Sequence, residues 1–276
     1  MENNFLDLFI ISRTLFFSVL PSIVYLFFLY LVTPYKSWNL QRSFLFLSFG
    51  LLSTSLVLFF HKLFPFFSDL WRISDQPTFQ LMILSFILIA LLEESMKFLT
   101  FRVYYYVLEK FKSLHKPTPL SIMMYCGSIA LGFSFSENIL YASQYGDQVL
   151  VGRSIFSVPL HMLCGFMIGY WVSLGKFGYK LKSNPGHSVG SISIMDVLVK
   201  KYPKFRSVLY SSIGIMMATF FHGLYDMNLL SIKNGHILPD LHNISTTILL
   251  LILAFALFLV KKMADHLVKL NENKSI

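Results

Sequence analysis

An all-α, polytopic transmembrane helical bundle of about seven spans is the fold that this sequence predicts, and three observations carry it. Hydrophobic residues make up 55% of the chain and charged residues only 13%, too few to cover a water-exposed surface. The apolar residues fall into runs of helix-spanning length, broken by short polar connections. Basic residues gather in every second connection, the pattern of a membrane orientation signal.

The spans in chain order are Leu8–Val32, Phe44–Phe60, Phe79–Val107, Leu120–Tyr141, Ser154–Leu174, Val208–Leu230 and Ile244–Val260. Most have the roughly 17–25 residues that cross a hydrocarbon core of about 30 Å; the third is longer, which implies tilt or protrusion. The first run is too long for a signal-peptide core and lacks a basic leader and a small-residue cleavage site, so it reads as a retained span. Pro21 is expected to kink it, while Pro34, Pro65, Pro77, Pro117 and Pro203 punctuate loops. No internal repeat, low-complexity tract or soluble domain is visible, so residues 1–276 read as one domain with a motif-bearing core over about 79–230.

Loop charge sets the orientation. Connections after the odd-numbered spans carry Lys36 and Arg42; Arg102, Lys110, Lys112 and Lys116; Lys176 through Arg206; and Lys261, Lys262, Lys269 and Lys274. The other side holds only Arg13, Lys62, Arg72, Arg153 and Lys233. The positive-inside rule therefore puts the N-terminus outside and the C-terminus in the cytoplasm. The formal net charge of +9 does not indicate a nucleic-acid partner, because the cations sit in short loops between apolar runs. Within the basic loop Gly175–Arg206, Ile192–Lys201 reads either as a short helix on the anionic inner leaflet or as a solvated connector. Cys126 and Cys164 lie in apolar runs without CxxC spacing and read as buried thiols.

Several spans carry charge that packing alone does not explain. Glu93, Glu94 and Lys97 occupy one turn of the third span, at i,i+4 and i,i+3 spacing, where each charge costs roughly 2.5–3.5 kcal/mol to insert. The fourth span carries Glu137 and Asn138; the fifth opens with Arg153 and carries His161; the sixth carries His222 and Asp226 on one face. With the orientation above, Glu137, His161, His222 and Asp226 fall at one outer level, with Glu93 and Glu94 near mid-span. That convergence implies a polar, water-accessible cavity opening toward the extracytoplasmic side. A purely structural ion-pair cluster is the competing reading, but apolar packing holds helices together more cheaply. Arg153 reads equally as an interfacial snorkelling residue, Asp226 as an orienter of the His222 ring, and Gly165 with Gly169 as a close-packing pair.

Desolvated carboxylates beside histidines suit the activation of water. Two arrangements fit peptide hydrolysis. In one, Glu93 deprotonates water with a nearby histidine and His222 stabilises the tetrahedral intermediate without metal. In the other, Glu137, His161 and His222 form a His₂Glu zinc site and Glu93 is the base. There is no HExxH helix, so the Zn2+ arrangement rests on long-range convergence.

Taken together and in order, four blocks resemble the PrsW-type membrane proteases: Glu93-Glu94-Ser95-Met96-Lys97; Phe133 through Asn138; Arg153 with His161 and Gly169; and His222-Gly223-Leu224-Tyr225-Asp226. That family belongs with the CAAX prenyl endopeptidases and bacteriocin-processing enzymes in a wider superfamily. The resemblance implies a membrane-embedded endopeptidase of the bacterial cytoplasmic membrane that makes an extracytoplasmic cut in a membrane-tethered, anti-sigma-factor-like protein. It implies Glu93 as the water-activating residue and His222 with Asp226 as the pair that stabilises the intermediate. The family is described as metal-dependent, its CAAX relatives as glutamate-type hydrolases; members are often drawn with eight spans. A cation- or proton-coupled transporter could use the same carboxylates as a relay, but such folds carry internal repeats. A CAAX-type prenyl-protein endopeptidase is the nearest enzymatic alternative, disfavoured by the outward depth of the site. A non-catalytic relative that shields a membrane partner is a third. Substrate identity, cut site and oligomeric state are not written in the sequence.

Overall fold

The computed structural model describes residues 2–32, 39–64, 78–111, 117–182, 202–233 and 242–272, and among them there is no strand. The helices are α1 (Glu2–Val32), α2 (Leu40–Leu63), α3 (Thr78–Ile83), α4 (Leu92–Lys110), α5 (Pro119–Tyr145), α6 (Val149–Ile155), α7 (Ser157–Lys182), α8 (Pro203–Lys233) and α9 (His242–Glu272). Each expected span lies within one of these helices or within one helical run. α1 continues unbroken through Pro21. The short helix expected over 192–201 lies outside the described residues, as do Pro34, Pro65 and Pro77.

Among the described residues six helical stretches are long and apolar enough to cross a membrane, so the chain is an integral membrane protein. The third run is not among them. It is divided into α3, a π-helical segment Leu84–Leu91, and α4, and it carries Glu93, Glu94 and Lys97 in the turn after the π segment. Its expected length is there, but not as one regular helix. A π segment inside an α-helix shifts the register of everything after it, and such segments are common at functional sites.

α5 forms the centre of the bundle, buried along most of its length. Its start is fixed by Thr118 and Ser121, which cap each other's backbone N–H groups at 3.1 and 2.9 Å, with Pro119 in the first turn. Its end is fixed at Gly146, whose φ of 84° is costly for a residue with a side chain. Small residues set how closely neighbours approach. Gly50 of α2 and Gly132 of α5 meet so tightly that a Cβ at either would run into the other helix's backbone carbonyl, at Ile129 and Leu47 respectively. On the opposite side, Gly165 and Gly169 of α7 press on Cys126 and Met123. The expected close packing of that pair is what the structure shows.

α1 leans on this core through Ser22, whose hydroxyl donates to the Leu131 carbonyl at 3.0 Å. At its early end, Arg13 and Thr14 both bond Asp147, in the short link between α5 and α6. The Thr14 hydroxyl and then Arg13 hold that carboxylate below its ordinary range. Exposed Phe16, Phe27, Phe28, Leu251 and Phe255 give α1 and α9 outward apolar faces that suit lipid. Cys126 and Cys164 are free, buried thiols.

Candidate active site

Inside a membrane protein, a polar side chain must find its partners within the protein. Every residue expected at the site joins one network of hydrogen bonds and ion-pair contacts spanning α4, α5, α6, α7 and α8, though not every oxygen in it is satisfied. Lys97 stands at its middle. Its ammonium donates to Glu94 Oε1 at 2.8 Å and to His161 Nδ1 at 3.0 Å, and lies 3.6 Å from Glu93 Oε2. The same ammonium sits 4.0 Å over the buried Phe133 ring, a cation–π contact inside the core.

Glu94 and Glu93 are adjacent in sequence and differ in what they do. Glu94 is fully buried, and its Oε1 accepts from both Lys97 and His222 Nδ1, the latter at 2.8 Å. That bond places the proton of the neutral His222 ring on Nδ1 and turns Nε2 toward Glu93 Oε2, 3.8 Å away, and Asp226 Oδ2, 3.3 Å away. Both of those carboxylate oxygens are buried and have no hydrogen-bond partner. The Glu93 and Asp226 side chains nonetheless keep 12% and 16% exposure, so they border the accessible side of the cluster.

The second histidine is held from the opposite direction. With Lys97 donating into Nδ1, His161 donates through Nε2 to Glu137 Oε2 at 2.7 Å. Arg153 clamps the same oxygen at 2.6 Å, and its Nε donates to Asn138 Oδ1 at 2.7 Å. Asn138 Nδ2 in turn donates to the Ser18 carbonyl of α1 at 3.3 Å. The Arg153 guanidinium lies 4.0 Å over the Tyr141 ring, so Arg153 is a buried structural clamp here and not an interfacial snorkelling residue. The two imidazole rings meet edge to face with centroids 4.8 Å apart.

Four carboxylates against two fixed cations leave this cluster rich in acceptors, which the two imidazoles, protons or a bound cation must offset. A metal fits the donor set. One donor atom each from Glu93, His161 and His222 lie within 4.8 Å of one another, and Glu93 Oε2 is an orphaned buried acceptor of the kind an ion satisfies. The sequence pattern set Glu137 beside the two histidines as the zinc-binding carboxylate, whereas the carboxylate that the structure gathers with both is Glu93. Glu137 is committed to Arg153 and His161. His161 has both ring nitrogens engaged and joins a metal only by releasing Lys97 or Glu137. Tyr141 and Ser18 were not singled out from sequence, and Phe133 only as the first residue of a motif block. Phe133 and Tyr141 stand four residues either side of Glu137, on one face of α5, and that spacing was the available signal.

A family profile described as PrsW family intramembrane metalloprotease matches residues 38–260. Among curated relatives, Protease PrsW of Oceanobacillus iheyensis is 35% identical over 101 residues, covering 36% of this chain and 45% of the relative. Protease PrsW of Geobacillus kaustophilus is 29% identical over 147 residues, covering 53% and 52%, and that of Clostridioides difficile is 29% identical over 102 residues, covering 36% and 41%. The chain thus spans about half the length, or less, of the curated relatives it matches. No solved structure matches it.

Proposed function

We infer from the geometry of this site that the chain, which belongs to the PrsW family of intramembrane metalloproteases, is a membrane-embedded endopeptidase in which Glu93 activates the attacking water. The observation that carries the reading is the pair of orphaned oxygens, Glu93 Oε2 and Asp226 Oδ2, facing His222 Nε2 at a buried but accessible edge. A water seated there meets an acceptor for its proton and an imidazole nitrogen, the two groups that hydrolysis needs within reach.

The remaining residues divide the labour. Glu94 fixes the His222 tautomer and holds Lys97. Arg153, through Glu137, fixes the His161 ring. Glu93 takes the proton of the attacking water and hands it to the departing amine, while His222, as an imidazolium with Nδ1–H on Glu94 and Nε2–H toward Asp226, faces the carbonyl oxygen as charge develops there. With His222 neutral at Nε2, a metal ion would instead be held by His161, His222 and one oxygen of Glu93, leaving the other Glu93 oxygen to take the proton. Such an ion supplies positive charge that favours water ionisation and offsets the oxyanion.

The proposed substrate is a membrane-tethered, anti-sigma-factor-like protein cut on the extracytoplasmic side of a bacterial cytoplasmic membrane. Support comes from the loop charges, which put Glu137, His161, His222 and Asp226 toward the side opposite the basic connections. Reconstitution of the full chain with a single-span tethered substrate, followed by mass mapping of the products, tests this. A cut near the extracytoplasmic end of the substrate span is expected. A cut confined to the cytoplasmic end, or none, overturns the reading. In the same assay, chelation is expected to abolish cleavage and zinc to restore it. Metal analysis is expected to show near-stoichiometric zinc that is lost in both His161→Ala and His222→Ala.

A further inference from the structure

Each histidine of the candidate site holds a carboxylate on one ring nitrogen and turns the other toward the Glu93–Lys97 turn of α4. His161 Nε2 donates to Glu137 Oε2 at 2.7 Å, and His222 Nδ1 donates to Glu94 Oε1 at 2.8 Å. A carboxylate behind the ring fixes tautomer and direction in metal-binding histidines. Here it leaves lone pairs on His222 Nε2 and His161 Nδ1. The first faces Glu93 Oε2 and Asp226 Oδ2. The second accepts from Lys97 Nζ at 3.0 Å, so an ammonium sits on a lone pair that a metal ion needs.

The two bonds of His161 differ in how readily they part. Glu137 Oε2 is also held by Arg153 at 2.6 Å, and Arg153 by Asn138 at 2.7 Å, so the Nε2 side is braced. Lys97 has other partners within reach. Its Nζ lies 2.8 Å from Glu94 Oε1 and 3.6 Å from Glu93 Oε2, both on its own helix. At the end of a flexible side chain, it can leave His161 Nδ1 and keep its ion pair with Glu94. No proton has to move, because with Lys97 donating into Nδ1 the His161 ring already carries its proton on Nε2.

We propose that Lys97 is a built-in competitor for the metal site: its ammonium and a metal ion exclude each other at His161 Nδ1. Lys97 thereby sets how tightly the ion is held. The inference rests on the metal-holding role given above to Glu93, His161 and His222. Its physical basis is the repulsion of two cations a few ångströms apart in a medium of low dielectric.

The measurement is the zinc dissociation constant of the full-length protein in neutral detergent at fixed pH, by competition with a chromophoric chelator. Lys97→Met is expected to tighten zinc binding at least about tenfold, because a like charge is removed from beside the ion. Lys261→Met, which removes an exposed lysine of α9, is expected to leave it unchanged. His161→Ala placed in the Lys97→Met background is expected to abolish the gain. Lys97→Met also leaves the buried Glu94 without its cation, so the fold is read as well. The unfolding midpoint of the zinc-free variant is expected to fall below wild type. Zinc is expected to raise it by more than it raises wild type, since a tighter ligand stabilises more at the same concentration. Should Lys97→Met not fold, the pair Lys97→Met/Glu94→Gln, which removes both buried charges, is compared with Glu94→Gln alone, and the same gain is expected. Zinc binding that is equal or weaker without Lys97, in the folded single or paired variant, overturns the proposal and leaves the metal reading standing. Zinc bound neither by wild type nor by the variants overturns both.

Discussion

At the residue scale, neighbouring groups of the same type have been given different work by their burial. Glu94 has no exposure, with two donors on Oε1 and none on Oε2, whereas the equally unpartnered Oε2 of Glu93 belongs to a side chain that borders the accessible edge. Arg153 touches no group proposed to react, but it holds the carboxylate that holds His161. If His161 serves the proposed site, Arg153→Ala is expected to lower turnover on the tethered substrate about 10- to 100-fold, the usual cost of losing a group that orients a metal-binding histidine. Arg153→Lys, which keeps the charge but loses the fork that spans Glu137 and Asn138, is expected to recover only part of it. Steady-state rates of the two variants, alongside the KM for the substrate, check this; a change in KM alone would point to a substrate-binding role. Sequence legibility at this scale was uneven. Charged groups at matching depth in separate spans pointed to Glu93, His161 and His222, because a bilayer makes an idle charge expensive. Which carboxylate faces which imidazole was not legible. That depends on rotations of α4 and α5 of less than one turn, and hydropathy does not encode them.

At the element scale, the π segment Leu84–Leu91 is the least regular described part of the bundle and precedes the Glu93 turn directly. Gly223 makes room for it: a Cβ there would strike the Phe86 ring at about 2.5 Å. Gly223→Ala is expected to push that ring aside and reduce activity more than stability, read as a fall in turnover with an unfolding midpoint close to wild type. Gly132→Val is expected to do the reverse. It drives a side chain into the Leu47 carbonyl of α2, and overpacking of this kind costs about 1–3 kcal/mol; a lowered unfolding midpoint in detergent is the readout. Six of the seven expected spans could be read from apolar length alone, since each needs enough residues to cross the bilayer; the third, broken by the π segment and charged in its second half, is not among the stretches that qualify. The π segment could not, because its residues are as apolar as those of any ordinary helix. The Gly50–Gly132 contact was missed as well, since its two glycines lie on different helices and only three-dimensional packing pairs them.

At the scale of the whole molecule, the positive-inside rule applied to the alternation of basic connections predicts an N-terminus outside and a C-terminus in the cytoplasm. Single cysteines placed at Lys261 and at Asp147, in a background where Cys126 and Cys164 are replaced, provide the check. An impermeant thiol reagent applied to intact cells is expected to label the Asp147 position and spare the Lys261 position; the opposite pattern would reverse the orientation and, with it, the side on which substrate is cut. Burial of the network between five helices also explains why its groups had to be read together, since each block is short and only the fold joins them. The most direct test of that network as a hydrolytic centre is the cleavage rate of Glu93→Gln in proteoliposomes, compared with wild type and with Glu94→Gln at matched unfolding midpoints. Glu93→Gln should insert and fold normally and lose at least about 10²-fold in rate, because the acceptor for the water proton is gone. Cleavage by a folded Glu93→Gln protein at the wild-type rate would contradict it.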